Sequence, residues 1–157
     1  MISTKFESME KYTIASSKNS VSFGADGRIT FSENCISTLG LNGDDIRVEP
    51  KLWVEQKKIE KKGKVENRTT TKKIAFVFGP STDANSDSAH LREIKNGNQK
   101  YISGKGYLQK NDFLRHLMNS PVRFQHDAIS FETSGQRKKH NVIIVDLLKK
   151  GRNKVST

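Results

Sequence analysis

The chain has 157 residues, 33% of them hydrophobic and 29% charged, and a formal net charge of +11. That length suits one domain, or two small units sharing a core, with an apolar content below the usual globular average. The single Cys35 rules out an intramolecular disulfide, no run approaches the length of a spanning helix, and no apolar signal-type stretch follows MISTKFESMEKY. The expectation is a soluble, cytoplasmic protein without a membrane segment.

Residues 1–10 read as a frayed leader. Two short β-type runs follow, Tyr12 to Ala15 and Val21 to Phe23. The turn residues Gly24-Ala25-Asp26-Gly27 then lead into Arg28 to Phe31, so VSF-GADG-RITF has the form of a hairpin. Ser32 stands where a helix N-cap belongs and Glu33 where a carboxylate meets the positive end of the helix dipole. The short helix runs to about Leu39, and Gly40 supplies the left-handed residue that ends it. Asn42-Gly43-Asp44 is turn chemistry; Asp45 to Val48 alternates as a strand, Pro50 interrupts it, and Leu52 to Glu55 continues.

Residues 57–73, KKIEKKGKVENRTTTKK, contain too few apolar positions to bury anything and lie between LWVEQ and IAFVF. Two strands joined by a long basic tip, a β-arm, are predicted there. Residues 80–99 read as linker by composition, with His90 to Lys95 able to hold a helical turn. Beyond it, YISGKGYL reads as a second hairpin and DFLRHLM as a short helix with Phe113, Leu114, Leu117 and Met118 at helical spacing. VRF, AISFE and VIIVDLL read as strands, with the basic turn SGQRKKHN before the last of them.

The order of elements therefore recurs. Gly27 aligns with Gly106 at an offset of 79 positions, IRV with VRF at 76, LWV with ISF at 77, and IAFVF with VIIVD at 68. The fold class expected from this pattern is β-rich α+β. It would be one compact domain over residues 1–157, with two pseudo-repeated β-β-α-β-β units, 12–79 and 100–148, packed together. Residues 149–157 form a basic tail.

One stretch resembles a known family. In GRITFSENCISTLGLNGDDIRV, the residues Gly27, Arg28, Ile29, Thr30, Leu39, Gly40, Leu41, Gly43 and Asp44 match the pattern of the AbrB-type (SpoVT-AbrB, swapped-hairpin) DNA-binding family, over about 22 of 157 residues. Ser32 replaces the usual proline, the turn before Gly43-Asp44 is one residue short, and the family's helical arginine is absent. The resemblance implies a swapped-hairpin-like barrel, formed by a homodimer or by the two units of one chain. It also implies a transcription regulator, with Arg28 as a phosphate contact. The second unit has Tyr107 in place of Arg28 and lacks the LGL and GD elements.

Charge is concentrated. Residues 51–75 hold nine Lys/Arg against three Glu, and residues 101–157 hold eleven against four Asp/Glu. Clustered cations attract polyanions, and each neutralised phosphate releases condensed counterions. Lys57, Lys58, Lys61, Lys62, Lys64, Arg68, Lys72 and Lys73 on one arm are therefore the candidate nucleic-acid contacts, with Arg137, Lys138 and Lys139 on a second. Such arms grip phosphates without reading bases, which limits sequence preference. Apart from the strand residue Trp53, these basic arms hold no aromatic residue for stacking on unpaired bases, which favours duplex DNA. Their alternative role is to solubilise hairpin tips and discourage edge pairing.

Catalytic motifs are not evident. SGKG at 103–106 lacks phosphate-loop spacing, and His90, His116, His126 and His140 form no metal-binding pair. His126-Asp127 reads as a loop pair, and Cys35 as a buried small residue. No enzyme activity, cofactor or metal is expected. RNA, or an acidic protein bound by an antitoxin-like or phage-like accessory protein, are the competing partners.

Overall fold

A computed structural model describes residues 19–40, 46–80, 88–94, 99–119, 121–133, 140–149 and 152–153. Among these, two antiparallel sheets pack face to face. The first has six strands: β1 (Val21–Phe23), β2 (Arg28–Phe31), β6 (Arg92–Glu93), β7 (Lys100–Ser103), β8 (Val122–Phe124) and β11 (Arg152–Asn153), in the order β11-β8-β1-β2-β7-β6. The second has five, β3 (Ile46–Lys61), β4 (Lys64–Pro80), β5 (Ala89–His90), β9 (Ile129–Glu132) and β10 (Val142–Asp146), in the order β5-β3-β4-β10-β9. The β-rich α+β expectation holds at this level, and the described strands form two open sheets with free edges rather than a closed barrel.

Alternation builds the core. Val21, Phe23, Ile29, Phe31, Ile102 and Phe124 point inward from the first sheet, and Val48, Ile74, Phe76, Phe78, Ile143 and Val145 from the second. Aromatic rings join the layers. Phe31 meets Phe76 edge-on at 5.1 Å between centroids and Phe78 at 5.2 Å, while Phe23 lies 6.4 Å from Phe76.

The first hairpin and helix follow the sequence pattern. Gly24 N–H donates to the Arg28 carbonyl at 2.9 Å, and Gly27 adopts φ +86°. The side chain of Ser32 caps α1 (Glu33–Leu39) by accepting from Cys35 N–H, and Gly40 closes it at φ +60°. Cys35 is buried, and burial raises its thiol pKa, which suits packing rather than nucleophilic work. The run Tyr12 to Ala15 and the turn at Asn42-Gly43-Asp44 lie outside the described residues.

Gly27 also lets the chain pass closely. A β-carbon there would stand 2.5 Å from the Lys105 backbone, in a backbone conformation that disfavours side chains. Gly27→Ala is therefore expected to cost about 1–3 kcal/mol and to lower the melting temperature by several degrees in a chain of this size. An unchanged thermal melt would contradict the close approach.

The second half departs from the expected repeat. YISGKGYL is not a hairpin: Lys100–Ser103 is a strand paired with β2, and Lys105–Lys110 is helix α2, which buries Leu108. DFLRHLM is a turn followed by a 3-10 helix, Arg115–Met118, because Leu114 and Leu117 reach the core while Phe113 remains partly exposed. The order after residue 99 is strand, helix, 3-10 helix, strand, 3-10 helix and three strands, so it does not reproduce β-β-α-β-β.

Four smaller expectations also change. Residues 88–93 are not linker or helix: β5 pairs with β3, and β6 with β7. Arg47 fastens β5 by donating from Nε to Ser88 Oγ at 2.8 Å and from its terminal nitrogen to the Ser88 carbonyl at 2.9 Å. Pro50 does not interrupt β3, and among the described residues no strand pairs with β3 beyond Val48 on the β5 side, where a missing N–H is tolerated. The last long strand stops at Asp146, and the tail region contributes the edge strand β11.

Candidate nucleic-acid interface

The basic segment at 57–73 is not a long loop. β3 and β4 pair continuously from Ile46↔Pro80 to Lys61↔Lys64, joined by Lys62 and Gly63 alone. Both turn residues have positive φ, 52° and 76°, as a two-residue type I′ hairpin requires. The β-branched run Thr69-Thr70-Thr71, with Val54, Ile59 and Val65, favours extended backbone despite the charge.

The body releases the hairpin at a definite level. β10 pairs with β4 as far as Asp146↔Lys73, and Leu147 N–H donates to the Lys72 carbonyl at 2.8 Å. Beyond Val54 and Lys72, the two strands pair only with each other. The eight residues Val54–Lys61 therefore carry the arm about 25 Å from the second sheet. At Glu55/Gln56 the register shifts and leaves Thr70 as a bulge, a feature that twists and re-aims a ribbon.

Strand register sorts the cations by face. Cross-strand partners share a face, so Trp53/Lys73, Lys57/Arg68, Ile59/Glu66 and Lys61/Lys64 lie on one side. Val54/Lys72, Gln56/Thr69, Lys58/Asn67 and Glu60/Val65 lie on the other. The first side continues the outward face of the five-stranded sheet and carries Lys73, Lys57, Arg68, Lys61 and Lys64 against Glu55 and Glu66. The second carries Lys72 and Lys58 against Glu60, and Lys62 stands at the tip. Lys72 is the most body-ward of these, and loss of hydration lowers its ammonium pKa.

None of Lys57, Lys58, Lys61, Lys62, Lys64 or Arg68 takes part in an ion pair among the described residues. Their charge is available to an external anion. Trp53, 59% exposed, stands at the base of the cationic face directly across from Lys73. An exposed tryptophan among lysines offers a flat apolar contact beside the charged stripe.

The remaining candidates fall elsewhere. Arg137, Lys138 and Lys139 lie outside the described residues; the neighbouring His140 is exposed, its ring 6.0 Å from that of Phe131. Arg28 is on the other sheet, its guanidinium over the Tyr101 ring at 4.2 Å and its Nε 3.9 Å from Asp26. Sequence reading missed Arg92 and Arg123, which share the outward face of that sheet with Arg28. Their sequence neighbourhoods hold no basic run to flag them.

Among the described residues, no group of three His, Cys, Asp or Glu side chains is arranged to hold a metal ion, and no helix is long and apolar enough to cross a membrane. Comparison of the chain with protein-family models, curated proteins and solved structures finds no match. The AbrB-type resemblance thus rests on residues 27–48 alone, and of these 41–45 lie outside the described residues.

Proposed function

We propose that this protein binds duplex DNA by laying the β-arm along the phosphate backbone, and that it works as a binding protein rather than as an enzyme. The observation that carries the reading is the one-sided arm: Lys57, Arg68, Lys61 and Lys64 lie on a single face of a ribbon that leaves the body, with Lys73 on the same face at its base. A two-stranded antiparallel ribbon is narrow enough to enter the major groove, and lysines along one face meet phosphates without specifying bases. Affinity should therefore depend steeply on salt and weakly on sequence. A regulatory role is consistent with the AbrB-type resemblance, although Arg28 stands apart from the arm.

Fluorescence anisotropy with a labelled duplex, set against RNA of equal length and an acidic protein, tests the reading. Duplex binding at about 50 mM salt that weakens by orders of magnitude at about 200 mM is expected. Absence of duplex binding at the lower salt would overturn it, and selective capture of the RNA or the acidic protein would point to those partners instead.

A further inference from the structure

The outward face of the six-stranded sheet gathers three arginines from distant parts of the chain. Strand register places Arg123, Ser22, Thr30, Tyr101 and Arg92 in one row across β8, β1, β2, β7 and β6. Arg28 lies one step along the same face, opposite Ser103. Four strand spacings separate the ends of the row, about 19 Å. Asp26 beside Arg28 is a carboxylate close to this row.

Two details distinguish this face from a solvated sheet surface. The Arg28 guanidinium covers Tyr101 with one side and remains exposed, so its other plane is free to stack on a further ring. At the far end, Arg123 Nε is buried and has no hydrogen-bond partner. It borders a recess of about 440 Å³ lined by Ser20, Ser32, Glu33, Asn34, Ser37 and Gln99 as well as Arg123. A buried donor on a permanently charged group is costly unless an acceptor reaches it. Hydroxyl and amide groups offer both donors and acceptors beside it, and among the described residues the Glu33 carboxylate is the one negative charge in the lining.

We propose that this face binds a single-stranded nucleic-acid segment, with phosphates at Arg123 and Arg92 and a base stacked on Arg28. The proposal shares with the arm reading only the class of ligand. A duplex presents its backbone on a convex surface and its bases inside, so it suits neither the recess at Arg123 nor the open plane of Arg28. A single strand can lie across a sheet, expose its bases for stacking and send a phosphate into the recess.

The test uses the full chain and two labelled probes, an oligothymidine about 12 nucleotides long, within the site sizes of sheet-based single-strand binders, and a blunt duplex. Wild type is compared with Arg28→Gln/Arg92→Gln, whose exposed positions spare the fold, and with Arg123→Gln, each checked by thermal melt. Oligothymidine binding that weakens about tenfold in the double variant, with duplex affinity unchanged, is the expected result. Duplex binding without oligothymidine binding, or oligothymidine affinity indifferent to Arg28 and Arg92, would overturn the inference and leave the arm reading intact. Oligothymidine binding through these arginines without duplex binding would sustain the inference and remove the arm reading.

Discussion

Replacing Lys57 and Arg68 together by glutamate is expected to weaken duplex binding by at least about thirtyfold at about 0.1 M salt, and to reduce the salt slope by about two. The pair sits directly across the ribbon on its cationic face. A matched control exists at the same level of the arm. Gln56→Glu, Lys58→Glu and Asn67→Asp together change the net charge by the same four units, because each Lys-to-Glu or Arg-to-Glu change counts two and each amide-to-acid change counts one. Those three residues lie on the opposite face. With the ribbon's thickness comparable to the Debye length near 0.1 M salt, the control should cost less than about fivefold. Anisotropy titrations of both variants check this. Equal losses would mean that the arm acts as a diffuse charge and has no binding face.

The second large effect concerns the core. Phe76 is fully buried and meets Phe31 edge-on and Phe23 at a tilt, so it links the two sheets at their centre. Phe76→Ala removes the ring and leaves a cavity that close-packed neighbours cannot fill. The expected cost is about 3–5 kcal/mol, a large share of the ~5–15 kcal/mol that stabilises a typical domain. For a chain of this size the melting temperature should fall by at least about 6 °C. A melt within two degrees of wild type, about the effect of a surface change, would show that the sheets are not joined through this ring.

The β-arm was legible in the sequence because apolar runs bracket a segment that cannot bury itself. Its true length was not. Lys62-Gly63 lacks the asparagine or aspartate that advertises a two-residue hairpin, so the charged strands looked like loop. Ser32 and Gly40 announced both ends of α1 through local capping chemistry, which depends on neighbours only. Gly104 misled in the opposite way. It resembled a turn glycine, yet its role is to let Ile29 pack closely: a β-carbon there would stand 2.6 Å from Ile29 Cδ1. That requirement is tertiary and leaves no local signature.

The arginine face was illegible for the same reason. Arg28, Arg92 and Arg123 share one face only because β1 pairs with β8 and β7 joins β2 to β6, pairings that no adjacent residues encode. The apparent repeat failed where glycines of similar spacing serve different neighbours. Hydrophobic alternation still found most long strands, since inward and outward positions are set by the pleat itself.

Trp53 is the only tryptophan, exposed at the base of the cationic face across from Lys73. Its fluorescence therefore reports on the arm directly. Titrating the protein with duplex DNA across a salt series should give a saturable change in Trp53 emission, with log K falling against log salt at a slope of about −4.5, as five phosphate-facing cations imply. Duplex binding that leaves Trp53 emission unchanged, or an affinity indifferent to salt, would contradict a grip by this arm.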